Sequence, residues 1–406
     1  MGWAISPYYD YLTPNKNGQI WETRDGGNTW QLRHDTAKTF FRSVGFADSL
    51  NGWIGNLADS TVTPDKTPLF ETHDGGRTII PVSFNNPVPK GICGISVVTD
   101  SVIYAYGRYY GPAVLAWTTD KGNKWKTQSM SGYATGLVDG KFFTKDTGFI
   151  TGCNGNNGVI LYTVNGGSTW STVYQGTRND SEIVWKIVFP SRDTGYPTIE
   201  YIGALAGYKT YFVTTTDGGK TWTEHPFMLN YDEEGIGFIN DTVGWLGGDL
   251  TKPTYKTTNG GKSWKVDSTF GVLCPPYQNS FITAFDINRF RRFGDTLMYA
   301  SGNTVYKYSN HPVGINEIHE GQLSVSNYPN PFTYQTTIAF NCTEAMNHVM
   351  LTVTDIAGQT VYVKELGQQS PGRHLVNLSL QLQAGLYFYS IQTDNYRVTN
   401  KMTVVK

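Results

Sequence analysis

Thr215-Thr-Asp217-Gly-Gly-Lys-Thr-Trp222 decides the fold, because the chain repeats it. Its relatives are Thr23-Arg-Asp25-Gly-Gly-Asn-Thr-Trp30, Thr72-His-Asp74-Gly-Gly-Arg-Thr-Ile79, Thr118-Thr-Asp120-Lys-Gly-Asn-Lys-Trp125, Thr163-Val-Asn165-Gly-Gly-Ser-Thr-Trp170 and Thr257-Thr-Asn259-Gly-Gly-Lys-Ser-Trp264. Successive Asp/Asn positions lie 49, 46, 45, 52 and 42 residues apart. A repeat of roughly 40–50 residues points to a solenoid or a propeller.

The chemistry of this box is that of a turn. A chain reversing between two strands leaves backbone N–H groups without ladder partners, and a short oxygen acceptor satisfies them. The glycine pair supplies positive φ without steric cost. The threonine adds a second local bond, and the tryptophan anchors the next strand in apolar contact. Asn165 and Asn259 keep the acceptor and lose the charge, which a catalytic carboxylate or a hard-metal ligand would not tolerate easily. A calcium loop needs several oxygen ligands in one loop, and each box offers a single acidic position at most. Asp25, Asp74, Asp120, Asn165, Asp217 and Asn259, with Trp30, Trp125, Trp170, Trp222 and Trp264, are therefore expected to be structural. The box resembles the Asp-box (BNR) repeat of sialidase-like propellers.

A second landmark precedes most boxes: an acidic residue, then Gly-aromatic opening a strand. It occurs as Asp48 with Gly52-Trp53, Asp146 with Gly148-Phe149, Asp193 with Gly195-Tyr196, and Asp241 with Gly244-Trp245. The unit then reads as four strands, in the second repeat at about 40–46, 52–56, 68–72 and 79–84, which fits a propeller blade. One partial unit at 1–38, five complete ones from 39 to about 274 and a boxless seventh at 281–309 predict about seven blades. Six blades, or an incompletely closed ring, are the alternatives. Gly2-Trp3 matches the mid-blade landmark, so the frame is expected to continue upstream into an innermost strand and a signal peptide. The dense Thr-x-Asp-Gly-Gly-x-Thr-Trp form with Gly-Trp strands resembles the photosystem II assembly-factor-like propellers, and that resemblance implies a binding platform.

Composition agrees with an all-β extracellular protein. Charged residues are 16% of the 406, against a typical ~25%, and there are 26 Tyr, 11 Trp and 45 Gly. The net charge of −1 and the lack of a basic run argue against nucleic acid as a partner. No apolar run approaches the ~18 residues of a membrane helix. Cys93, Cys153, Cys274 and Cys342 show no zinc-type spacing. Buried free thiols are expected, with one long-range disulfide as the alternative.

Past a polar linker at 310–320, residues 321–406 show about seven short alternating strands, which predicts a small Ig-like β-sandwich. Asn327-Tyr-Pro-Asn-Pro-Phe332 opens this segment, Asp355-Ile-Ala-Gly-Gln359 sits in its middle, and Ala384-Gly-Leu-Tyr-Phe-Tyr389 and Asn400-Lys-Met-Thr-Val-Val-Lys406 close it. The segment resembles the type A sorting domain of the type IX secretion system. That resemblance implies export, recognition of 321–406 by the secretion machinery at the outer membrane, and a surface or extracellular destination.

Function is less legible. Sialidases need an arginine cluster, and the nearest match to their first arginine motif, Phe41-Arg42-Ser43-Val44, lacks the proline and reads as ordinary strand. Glycoside hydrolysis needs two carboxylates roughly 5–9.5 Å apart. Glu182, Asp232, Glu233 and Glu234 are the candidates near a channel mouth, and the last three read as a solvated charge run. No catalytic residue, metal ligand or cofactor is assigned. Ligands are expected on the face opposite the boxes, where Tyr-rich loops offer large contact area at low entropy cost. Arg108, Tyr109, Tyr110, Tyr201 and Tyr231 are the candidate binding residues. The expected function is a non-catalytic binding or adhesion propeller for an extracellular glycan or protein; the alternative is an extracellular glycoside hydrolase, sialidase-like or glucan-cleaving.

Overall fold

The computed structural model describes residues 1–9, 16–58, 65–178, 181–201, 209–229, 233–248, 253–267, 272–273, 287–294, 296–302, 305–309, 323–356, 358–394 and 397–405. The fold is all-β, and two compact units divide it, Met1–Tyr308 and Ser309–Lys406. No helix among the described residues is long and apolar enough to cross a membrane.

The first unit holds seven sheets among its described residues. Sheet 1 has three strands, Gly2–Tyr9, Lys16–Thr23 and Gln31–Ala37. Sheet 2 is Phe41–Phe46, Gly52–Asn56, Leu69–Thr72 and Ile80–Pro81; sheet 3 is Gly94–Val97, Ile103–Gly107, Val114–Thr118 and Lys126–Ser129. Sheet 4 is Gly136–Phe142, Gly148–Asn154, Asn157–Thr163 and Ser171–Gln175; sheet 5 is Glu182–Val188, Tyr196–Tyr201, Lys209–Thr214 and Thr223–Leu229. Sheet 6 is Glu233–Phe238, Gly244–Gly248, Tyr255–Thr257 and Lys265–Val266. All are antiparallel meanders, and the first strands of sheets 2 to 6 pack on one another in order, so these strands line the axis. The last sheet departs from the sequence expectation. Its strands Arg289–Phe293, Leu297–Ser301 and Val305–Ser309 take their fourth partner, Val272–Leu273, from earlier in the chain. Residues to about 274, expected to finish the preceding unit, are thus shared between sheets; 281–286, expected to open the seventh, lie outside the described residues.

Each box folds as one hydrogen-bonded knot. In every copy the threonine Oγ1 accepts from the second glycine N–H and donates to the Asp or Asn Oδ1, as in Gly219 N to Thr215 at 2.9 Å and Thr215 to Asp217 at 2.8 Å. The same Oδ1 accepts the N–H four residues on. In the Asp copies with a threonine there, its hydroxyl donates to Oδ2, at 2.6 Å for Thr29 and Thr221. In the Asn copies polarity reverses and the amide donates, to Thr169 Oγ1 at 2.8 Å and Ser263 Oγ at 2.9 Å. Geometry survives the loss of charge, which is why both residues occur. The hydroxyl and N–H of Thr29 hold the Asp25 carboxyl down at about 2. For Asp74 burial pushes the other way, yet the N–H and hydroxyl of Thr78 bring it to about 2 as well.

The Gly-aromatic landmark meets the next sheet's box at Trp3 and Tyr196, and Tyr104 and Tyr299 take the same place without the glycine. Trp3 Nε1 donates to Gly75 O of the next sheet's box at 3.2 Å. The Tyr104 hydroxyl lies 3.3 Å from Gly166 O and donates to Lys145 O at 2.7 Å; the Tyr196 hydroxyl lies 3.5 Å from Gly260 O and donates to Asp241 O at 3.1 Å. Burial holds both phenols up at about 12, as donors. The ring closes by the same contact: Tyr299 of the last sheet donates to Gly26 O of the first box at 2.6 Å, and Lys307 Nζ adds a bond at 3.1 Å. Sheet 7 has no box, so Trp245 of sheet 6 turns instead to Asp267 Oδ2, at 2.6 Å.

Among its described residues the second unit has seven strands in two sheets. Leu323–Tyr328, Gln335–Cys342 and Gly372–Ser379 form one; Thr360–Gln369, Met346–Thr354, Gly385–Gln392 and Arg397–Val404 form the other. Between them lies one core that includes Leu323, Phe340, Leu351, Tyr389, Ile391 and Met402. The opening and closing motifs meet. Asn330 Oδ1 accepts from Thr403 N at 2.8 Å, Phe332 N donates to Thr403 O at 3.0 Å, and Val405 N donates to Phe332 O at 2.8 Å. Asp355 caps its own turn by accepting from Gln359 N at 2.9 Å.

Candidate functional site

Loops joining second to third strands, and one sheet to the next, gather at the end of the first unit away from the boxes. The segment after Gly107 is one of them. Its Arg108 Nε donates to Gly111 O at 2.7 Å and its Nη1 to the Tyr110 hydroxyl at 2.9 Å. Gly111 sits at φ 73°, which closes the turn. The guanidinium carbon stands 3.9 Å from the Tyr110 ring centre, and Tyr110 is 41% exposed. Arg108 and Tyr110 are therefore one preformed, solvent-facing plate with a cation on its face.

Tyr109 points the other way. Its ring meets Tyr110 edge-on at 4.5 Å and Trp185 edge-on at 5.4 Å, and it packs on the buried cluster Leu57, Cys93, Val138, Cys153, Ile183 and Trp185. Trp185 was not anticipated from sequence and is the centre of the arrangement. It occupies an irregular position of the Glu182–Val188 strand, where the register shifts between Val184 and Lys186. Arg42 of sheet 2 stands 5.5 Å from its ring and Lys186 5.1 Å, while its Nε1 donates to Glu234 of sheet 6 at 3.1 Å. Arg42, expected to be ordinary strand, is thus one of three cations set against this aromatic group. Four sheets contribute to a mouth of alternating ring and charge.

Tyr201 ends its strand half-buried, opposite Glu182 in register. Tyr231 lies outside the described residues. The box residues sit at the opposite ends of the strands, and none joins the mouth. Cys93, Cys153 and Cys342 are buried free thiols; Cys274 falls outside the described residues.

The acidic candidates separate. Asp232 lies outside the described residues. Glu233 and Glu234 do not form the solvated run expected of them, because the first strand of sheet 6 begins at Glu233 and alternation divides the pair. Glu234 faces Trp185, whereas Glu233 is fully buried with both carboxylate oxygens shut off from solvent. Burial drives its pKa well up, Glu200 adds to the rise, and only the Thr210 hydroxyl opposes it. Glu182 pairs with Arg178, which also holds Glu224, itself bonded by the Tyr174 hydroxyl. That network cross-links sheets 4 and 5. Among the described residues no group of three or more His, Cys, Asp and Glu is placed to hold a metal ion.

No curated protein sequence matches the chain. Solved structures match the chain at low sequence identity. A GH74 xyloglucanase from Xanthomonas campestris superposes with a TM-score of 0.52 at 11% identity, covering 81% of this chain and 56% of that one. The chain thus spans little more than half of that enzyme. YCF48 bound to D1 peptide gives a TM-score of 0.37 at 14% identity, over 76% of this chain and 100% of that one. U3-55K gives 0.49 at 8%, over 72% and 89%. The first unit is a β-propeller fold. Residues 326–406 match the secretion system C-terminal sorting domain. The chain accordingly carries a sorting tail for type IX secretion, which directs it to the cell surface or the extracellular space.

Proposed function

We propose that the exported propeller is a non-catalytic binding or adhesion module whose ligand, a glycan or a protein surface, docks on the mouth around Trp185, and that its six turns are Asp-box repeats. One observation carries this: Tyr110, Tyr109 and Trp185 form a continuous edge-to-face series flanked by Arg42, Arg108 and Lys186. The exposed Tyr110 ring supplies contact area at low entropy cost, Tyr109 and Trp185 hold it rigid from behind, and the flanking cations supply direction. Hydrolysis is the weaker alternative, because among the described residues the one carboxyl with the raised pKa of a general acid, Glu233, has no oxygen that a substrate could reach.

The full chain should be tested on a glycan array and, in parallel, for reducing-sugar release from xyloglucan and sialosides. Tyr110→Ala should weaken the strongest array signal by about 1–3 kcal/mol, the range for an interface aromatic with a cation partner. Sugar release should stay at background. Turnover that Glu233→Gln abolishes would overturn the binding assignment.

A further inference from the structure

Below Trp185, along the axis of the propeller, lies a second cluster that shares only Lys186 with the mouth. Asp139, on the first strand of sheet 4, reaches across to Arg289 on the first strand of sheet 7. Arg289 Nη1 donates to both of its oxygens, at 3.0 and 2.8 Å, and Ile187 N donates to it at 3.2 Å. This carboxylate is buried and well used. Yet Arg289, Lys186, Arg291 and Lys141 all lie within electrostatic reach of it. Four cations thus surround one carboxylate, which leaves a surplus of three positive charges inside the ring.

Among the described residues no side-chain hydrogen bond holds Lys186, Lys141 or Arg291, although Glu234 also lies within electrostatic reach of Lys186. Lys186 is 7% exposed, and its ammonium rests 5.1 Å from the Trp185 ring. Lys141 and Arg291 are exposed, at the ends of strands that run toward the box face. Arg292 next to them donates to Pro190 O at 2.6 Å. The effect of this crowding agrees: burial and Arg289 hold the Lys186 ammonium down at about 7. Like charges clustered on neighbouring inner strands repel, and a multivalent anion between them turns that repulsion into attraction. Guanidinium forks and ammonium points together match a tetrahedral oxyanion, with several acceptor oxygens to share.

We propose that the axial cluster is an oxyanion site, binding a phosphate or sulfate group among Lys186, Arg291 and Lys141, entered from the box face. The group could arrive as the free inorganic ion or as an ester on a larger ligand; the recognition chemistry is shared. The site shares Lys186 with the aromatic mouth, but Arg291 and Lys141 belong only to the site and Tyr110 only to the mouth, so Arg291→Gln and Tyr110→Ala test the two assignments apart.

The full chain should be titrated calorimetrically with sodium sulfate and with sodium phosphate, against sodium chloride at matched ionic strength. Saturable binding of one oxyanion is expected, weakened at least ~10-fold by Arg291→Gln, and unaffected by Tyr110→Ala. Lys186→Met should weaken binding similarly and raise the melting temperature in oxyanion-free buffer, since it removes a buried charge that no side-chain hydrogen bond holds. Should Lys186→Met not fold, the exposed Arg291→Gln still decides the matter. General salting-out by sulfate would act equally on Arg291→Gln and is thereby subtracted. Competition by a sulfated oligosaccharide, with its desulfated form inert, would identify an ester as the source; binding of the inorganic ion alone would identify the free ion. Absence of saturable binding, or equal binding by wild type, Arg291→Gln and Lys186→Met, would overturn the proposal.

Discussion

Thr215 is the keystone of its box, and replacing it by valine removes the hydroxyl that ties the box together. Its Oγ1 accepts the buried Gly219 N–H at 2.9 Å and donates to Asp217 at 2.8 Å, and the side chain is 2% exposed. Valine keeps the shape and loses the oxygen. The Gly219 N–H cannot turn elsewhere: its φ of 85° is fixed by the turn, and its Cα packs so close to Phe149 that an added Cβ would meet ring carbon Cζ at 2.5 Å. An orphaned buried donor costs about 1–3 kcal/mol. Thr215→Ser, which restores the hydroxyl, should cost less than half as much. The assay is tryptophan fluorescence during urea unfolding of the full chain. All 11 tryptophans precede residue 265, so the signal reports the first unit alone. Calcium should not rescue the valine variant, because the defect is a backbone donor. Equal stability of Thr215→Val and Thr215→Ser would refute the turn-staple account, and rescue by calcium would point to a metal loop.

Tyr299→Phe removes the hydroxyl that closes the ring on Gly26 O and should cost about 0.5–1.5 kcal/mol by the same fluorescence assay; an unchanged midpoint would mean that Lys307 closes the ring alone. Glu233 gives a pH signature. Its folded pKa stands well above 4.5, so the folded chain keeps a proton that the unfolded chain releases, and stability should fall as pH rises from about 4.5. Glu233→Gln should flatten that slope, and an unaltered pH profile would contradict the burial argument.

What could be read from sequence divides along a physical line. The boxes were legible because their hydrogen bonds join residues four or fewer apart, so Thr, Asp or Asn and the glycines declare the turn by themselves. Tyr109 and Tyr110 were legible as a pair, but not their opposite fates, since only the fold shows that one ring seals Trp185 while the other meets solvent. The axial residues were not legible. Arg289 meets Asp139 across 150 residues, and Trp185 collects Arg42 and Glu234 from other sheets. No local pattern records such meetings. Glu233 was misjudged because three adjacent acids look hydrated, whereas a strand starting within the run must bury alternate members. Val272–Leu273 is too short to show any period at all.

The landmark and the box make sense only as two halves of one joint. The acidic turn that precedes each Gly-aromatic strand and the box of the same sheet are tied by the first glycine N–H, as in Gly75 to Leu50 O at 3.0 Å and Gly218 to Asp193 O at 2.8 Å. The carbonyl of that glycine is left to face the aromatic of the preceding sheet. A ring built this way needs little from the opposite ends of its strands. Phe149 shows that the joint tolerates loss of the donor while keeping the packing, here against Gly219. Trp245 shows that where the next box is missing the donor finds a carboxylate instead. Loops on the far face lie outside these joints, and loops held on a rigid scaffold are where binding chemistry is carried. The mouth around Trp185 is built from residues that no box or landmark constrains, and that is the physical reason to look for function there rather than among the six repeated aspartate and asparagine turns.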